Sequence, residues 1–124
     1  MLFNVDNGKE VKHMPHKEEW ERRMTKLDMA DYNAIIGAIH NVLDRVFDDK
    51  GVVTSSYVPG KDWRGTPYQP IFSACGENWD EARLFFGQLF WRAVQLHPEK
   101  WYFVRQERND DRPIGMTYFR CRDC

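Results

Sequence analysis

A chain of 124 residues has the length of one domain and can bury one core but not two. Hydrophobic residues at 42% and aromatic residues at 15% exclude a disordered polar chain. The formal charge is −1, with 8 basic against 10 acidic residues through Lys50 and 10 against 9 from Gly51 onward, so neither half is a polyanion-binding block.

Met1 is not followed by a basic segment and a long apolar run, which argues against a secretory signal. No apolar stretch approaches the roughly 18 residues of a membrane span. Three cysteines are an odd count without the framework of a small secreted protein. The expectation is a reduced, soluble, cytoplasmic protein without a membrane partner.

LFNVDNGKEVKHM opens the chain. Asp6-Asn7-Gly8 is turn chemistry between apolar residues, so residues 1–17 read as a short hairpin or a loose arm. A single domain is expected over 18–124. From Glu18 the pattern turns helical: Glu18 with Arg22 and Glu19 with Arg23 are spaced to pair across one turn, and Trp20, Met24 and Leu27 keep an apolar stripe. A second helical segment is predicted from about Ala30 to Asp49, with Tyr32, Ile35, Ile36, Ile39, Val42, Leu43, Val46 and Phe47 on one face. Asp28 or Asp31 suits its start and Lys50-Gly51 its stop, and the two segments read either as one bent helix or as two.

VVTSSYV, residues 52–58, is β-branched and aromatic and predicts a strand. A loop with Lys61, Trp63, Arg64 and Tyr68 follows, and PIFSACG, residues 70–76, predicts a second short strand. Pro59, Pro67 and Pro70 cannot donate to a ladder, which makes this pair an edge hairpin at best. Asn78 and Glu81 have capping-box spacing ahead of a broad apolar face from Trp79 to Leu96, and Pro98 ends that helix at His97. KWYFVRQ and PIGMTYFRC predict an antiparallel hairpin across the polar turn ERNDDR. The fold class is therefore α+β: a two-layer sandwich with an antiparallel sheet of about four strands and two main helices on one face.

Side chains alternate along a strand, which puts Trp101, Phe103 and Arg105 on one face and Tyr102, Val104 and Gln106 on the other. In the partner strand Ile114, Met116 and Tyr118 oppose Thr117, Phe119 and Cys121. Both faces are partly apolar, so helices on one side leave an aromatic surface on the other.

No phosphate loop, dinucleotide fingerprint or H-E-x-x-H is present. Cys121 and Cys124 have metal-ligand spacing, and His13 with His16 gives a second pair that would complete a Cys2His2 zinc site if the termini met. Both pairs sit at ends that fray, and their order is not that of a zinc finger, so incidental thiols are favoured and no cofactor is expected. Cys75 near the helix start at Asn78 could pair with His40 or His97 as nucleophile and base, although a buried cysteine is more often a small hydrophobe.

The loop of residues 59–70 admits two readings. Trp63 and Tyr68 could stack on a ring with Lys61 and Arg64 near a phosphate, or they could fold back and close the end of the core; the second is favoured. Arginines Arg105, Arg108, Arg112, Arg120 and Arg122 are interleaved with acids, which favours local ion pairing over a phosphate site. The leading expectation is a non-catalytic interaction or regulatory module. It binds a protein partner, a second copy included, through the outer sheet face and the 59–70 loop, with Lys61, Trp63, Arg64, Tyr68, Arg105, Tyr118 and Arg120 as the candidate contacts. The alternative is a single-stranded nucleic-acid binder on the same aromatics, and third a thiol enzyme.

Overall fold

The structure, a computed structural model, describes residues 1–46, 52–54, 63–105 and 116–120. The chain runs β1 (Leu2–Asn4), α1 (Lys17–Met24), α2 (Met29–Val46), β2 (Val52–Thr54), α3 (Gln69–Ala74), α4 (Trp79–Leu96), β3 (Trp101–Arg105) and β4 (Met116–Arg120). Helix and strand are mixed, as α+β, and no described helix is long and apolar enough to cross a membrane.

Two helices form where one bent helix was also conceivable. Thr25 Oγ1 donates back to the Arg22 carbonyl at 2.6 Å and closes α1. Asp28 then starts α2, its carboxylate accepting from the Ala30 N–H and its carbonyl from the Tyr32 N–H. The expected apolar stripe of α2 points inward, with Ile35, Ile36, Ile39 and Leu43 buried. Asn78 caps α4 by accepting from the Asp80 and Glu81 N–H groups, and His97 takes the extended backbone that a following proline imposes. Two side-chain expectations fail. The Glu81 carboxylate does not return to the cap but binds Arg23 and Arg22, so those arginines leave α1 for α4 instead of pairing with Glu18 and Glu19.

The sheet has the order β1-β3-β4-β2, and it is mixed, not antiparallel throughout: β1 pairs parallel to β3, while β3–β4 and β4–β2 are antiparallel. Four strands are present among the described residues, three of them within predicted strand segments and one not. Residues 70–76 form no strand; Gln69–Ala74 is a helix. Pro70 sits in its first turn, where a missing N–H costs nothing. Ile71 is then fully buried, and Phe72 stacks on Trp79 at 4.0 Å. Packing against α4 overrides the β-branched propensity. The place in the sheet is filled instead by LFN from the N-terminal arm. Fully buried Leu2 gains cover by lying beside Trp101, and the arm folds back through an isolated bridge between Phe3 and Glu10.

On the core face Leu2, Trp101 and Tyr118 are fully buried, and Phe103 packs beside them. Helix α4 covers this face through Phe90 on Tyr118 (5.0 Å between centroids) and Trp91 on Phe103 (4.8 Å). The Tyr118 hydroxyl is buried without a hydrogen-bond partner among the described residues, and its burial holds the phenol far above its ordinary pKa. Tyr118→Phe is therefore expected to raise stability by about 1 kcal/mol, read as a higher urea midpoint; a loss of that size would mean the hydroxyl has a partner.

Candidate interaction surface

The segment from Trp63 to Gln69 is a tight turn held by its own side chains. Thr66 Oγ1 donates to the Trp63 carbonyl at 2.6 Å and accepts from the Tyr68 N–H, while the Gly65 N–H donates to Gln69 Oε1. Gly65 has φ +72°, a conformation costly for any other residue. The turn drives both aromatics inward. Trp63 is 3% exposed and packs edge-on against Trp79 at 5.2 Å and against Phe86 at 5.9 Å. Tyr68, at 7%, meets the same Phe86 at 5.2 Å, and burial pushes its phenol pKa up. Neither ring has a face left for a base or a partner side chain; they close the end of the core.

The remaining candidate contacts do not converge with these two. Tyr118 lies in the core, Arg120 pairs with Glu99 at 2.9 Å, and Arg64 is exposed on the turn. Lys61 and the side chain of Arg105 lie outside the described residues, as do Cys121 and Cys124. His13 and His16 precede α1, where their backbone carbonyls accept hydrogen bonds from α4: His13 from Trp91 and Gln95, His16 from Gln88. Among the described residues no three His, Cys, Asp or Glu side chains stand where they could share a metal ion.

Cys75 is not part of a thiol–imidazole pair. It follows α3 at the N-terminal end of α4, whereas His97 follows the C-terminal end and His40 lies beside it, at 5.2 Å between rings. Eighteen residues of helix separate them by about 27 Å. Burial and the nearby Glu81 carboxylate raise the thiol pKa, with Arg23 and Lys26 acting weakly the other way, so the thiolate is disfavoured.

What the sheet does present is its other face. The register aligns Phe3, Tyr102, Phe119 and Val52 in one row across all four strands. The three aromatic rings are half-buried and touch in sequence: Phe3 to Tyr102 at 6.2 Å and Tyr102 to Phe119 at 5.5 Å with 26° between planes. Lys100, on the same side, places its ammonium 5.8 Å from the Phe3 centroid. Thr117 also points this way but is buried, so the open part of the face is the end that carries the row. Alternation along KWYFVRQ and PIGMTYFRC makes Tyr102 and Phe119 legible from sequence. Phe3 is not, because nothing in LFNV says that it joins β3.

On the helical side a groove of about 640 Å³ separates the α1–α2 turn from α3, and a cleft of about 330 Å³ continues past Arg22, Cys75 and Asn78. Lys26, Asp28 and Asp31 line the larger groove with charges of opposite sign, whereas the smaller sets Arg22, Arg23 and Lys26 against the single carboxylate of Glu81, which pairs with both arginines. No protein-family model, no curated protein and no solved structure matches this chain.

Proposed function

We propose that this chain is a non-catalytic interaction module that binds a protein partner, a second copy of itself included, through the outer face of its sheet. One observation carries the reading: the contiguous row of Phe3, Tyr102 and Phe119 lies on the side away from α4. Half-buried aromatics in contact with one another are what the centres of protein interfaces are enriched in. In this reading the helices and the sheet are the two layers of a cytoplasmic α+β domain, and the row is the surface left over. The 59–70 loop drops out of the contact set as far as Trp63 and Tyr68 are concerned, because both are core residues.

Ring geometry favours protein over nucleic acid. At 5.5 Å and 26° the rings of Tyr102 and Phe119 are too close to lie side by side in one plane, so they are offset-stacked on each other. Each ring therefore turns one of its two faces toward the other. A single-strand platform needs ring faces open to the bases. The net charge of −1 adds no general attraction for a phosphate chain.

The face is small. Four strands about 4.8 Å apart, the inner two five residues long and the outer two three, fit within about 14 by 17 Å, a footprint below about 250 Å², against roughly 800 Å² per partner in a standard interface. Self-association through the row alone is therefore expected to be weak, in the millimolar range, and a tighter partner must engage further surface. Sedimentation from micromolar to millimolar concentration tests the self-association arm: a rise in mass that Tyr102→Ala with Phe119→Ala abolishes supports it. Photo-crosslinking from benzoylphenylalanine placed at Phe119 tests the wider reading. A chain that stays monomeric and yields no protein adduct in cells rejects it.

A further inference from the structure

We propose that His97 is a proton-operated latch on the sheet edge that carries the aromatic row: protonation at Nδ1 releases Trp101 and, with it, the pairing of β1 to β3. Its bearing on binding rests on reading that row as the interaction face; the latch itself does not.

The hydrogen bonds assign the tautomer. Nδ1 of His97 faces two groups that can only donate, the Trp101 indole Nε1–H at 3.1 Å and the Glu99 backbone N–H at 3.1 Å. It must therefore hold a lone pair. Nε2 then carries the proton and donates it to Asp44 Oδ1 at 2.8 Å. The side chain is 4% exposed, so the neutral ring is fully engaged and largely withdrawn from water. A second proton has one place to go, and there it would confront two N–H groups.

The charged surroundings do not reverse this. From α2 come the Asp44 carboxylate, which favours the cation but is mostly exposed and screened, and His40, whose ring abuts His97 at 5.2 Å while its Nε2 is bonded to the Ala93 carbonyl. From β1 comes the Met1 nitrogen, which donates to the carbonyls of Val94, His97 and Glu99 and opposes a further positive charge. The Glu99 carboxylate, ahead of β3, is bound to Arg120. Desolvation is the largest influence, and the imidazole pKa lies below its ordinary 6.5.

What the latch holds is specific. Trp101 is fully buried, its backbone N–H donates to the Met1 carbonyl at 2.8 Å, and it pairs with Leu2. The next pair along is Phe3 with Tyr102, half of the aromatic row. In the open state His97 titrates at its ordinary pKa; in the closed state it resists. The stabilisation is complete above about pH 6.5 and is lost as the pH falls from there through the lowered folded-state value. The full effect on the opening equilibrium is about tenfold for each unit of that lowering.

Amide hydrogen exchange on the isolated chain tests this without any partner, at about pH 7.5 and about pH 5.0, on either side of the ordinary histidine pKa of about 6.5, corrected for intrinsic exchange rates. Acid is expected to accelerate exchange of Leu2–Asn4 and Trp101–Phe103 relative to the middle of α4. His97→Asn, whose side-chain oxygen can stand in for Nδ1 as acceptor and which does not titrate, is expected to remove the acid effect. Equal acceleration in the variant, or none in the wild type, overturns the latch. Should the variant fail to fold, the wild-type His97 ring titration by NMR decides: a midpoint at or above the ordinary histidine value of about 6.5 overturns it, and one clearly below supports it. Failure of the binding face would show in the crosslinking experiment and leave these results unchanged.

Discussion

Trp63→Ala is expected to cost about 3–5 kcal/mol, the range for removing a large buried aromatic, and so to consume much of the roughly 5–15 kcal/mol that holds a domain folded. The residue is 3% exposed and packs against Trp79 and Phe86, while Tyr68 packs on that same Phe86. Truncation leaves a cavity at the point where the turn, α3 and α4 meet. The turn that supports Trp63 is rigid, held by Thr66 and Gln69, so it cannot collapse into the space. Urea unfolding should show a lower midpoint at unchanged slope. Trp63→Phe should recover more than half of the loss, because an aromatic edge still reaches Phe86. A cost below about 1 kcal/mol would return Trp63 to the surface and reopen the loop as a binding lip.

Arg23→Met carries the second largest expected effect, about 2–3 kcal/mol, below the roughly 3–5 kcal/mol of breaking a fully buried charge pair because Glu81 keeps contact with water. Arg23 is 7% exposed. Its Nε donates to Glu81 Oε1 at 2.8 Å and its Nη1 to Gln88 Oε1 at 2.7 Å. Gln88 in turn donates to the carbonyls of Pro15 and His16, the chain entering α1. One guanidinium thus ties α1 to α4, and losing it strands a buried acceptor. A double-mutant cycle with Gln88→Leu should show coupling of about 1–2 kcal/mol, since the two share one hydrogen-bonded chain. Additive losses would mean that the network is two independent contacts.

The Arg23 network also has a pH signature. Its hydrogen bond is the main cause that holds the Glu81 carboxyl below the ordinary carboxylate value. Glu81 therefore adds stability that is present above that ordinary value and lost as the pH falls through the lowered one. Arg23→Met should flatten the acid limb of the stability profile, whereas His97→Asn should act at higher pH, below about 6.5. The two limbs are separable by the window in which they appear.

Much of this molecule is written in local pattern. Periodicity alone places α2 and α4 and their buried faces, Asn78 and Pro98 mark the ends of α4, and alternation assigns Trp101 and Phe103 to one face of β3 and Tyr102 to the other. These depend on near neighbours in the chain, and hydrophobic period is a local quantity. The inward packing of Trp63 and Tyr68 was only one of two readings of the loop, and both residues were also expected as contacts until burial decided between the two.

Partner choice is another matter. PIFSACG has strand residues and becomes α3 because Ile71 and Phe72 find α4 and Trp79, contacts that no propensity encodes. LFN enters the sheet in parallel because Leu2 is covered by lying beside Trp101, ninety-nine positions later in the chain. Arg22 and Arg23 abandon their helical neighbours for Glu81 across the α1–α4 contact, and His97 becomes a double acceptor only once Trp101 and Glu99 turn back onto it. Each of these is a choice among chemically equivalent partners, and only the packed chain ranks them. The residues thus determined by themselves that there would be two apolar helices and an aromatic sheet with two usable faces. Which aromatics stay outside, and which histidine is sealed within, was decided by burial: closure of the core removed Trp63, Tyr68 and Tyr118 from the surface and left Phe3, Tyr102 and Phe119 on it.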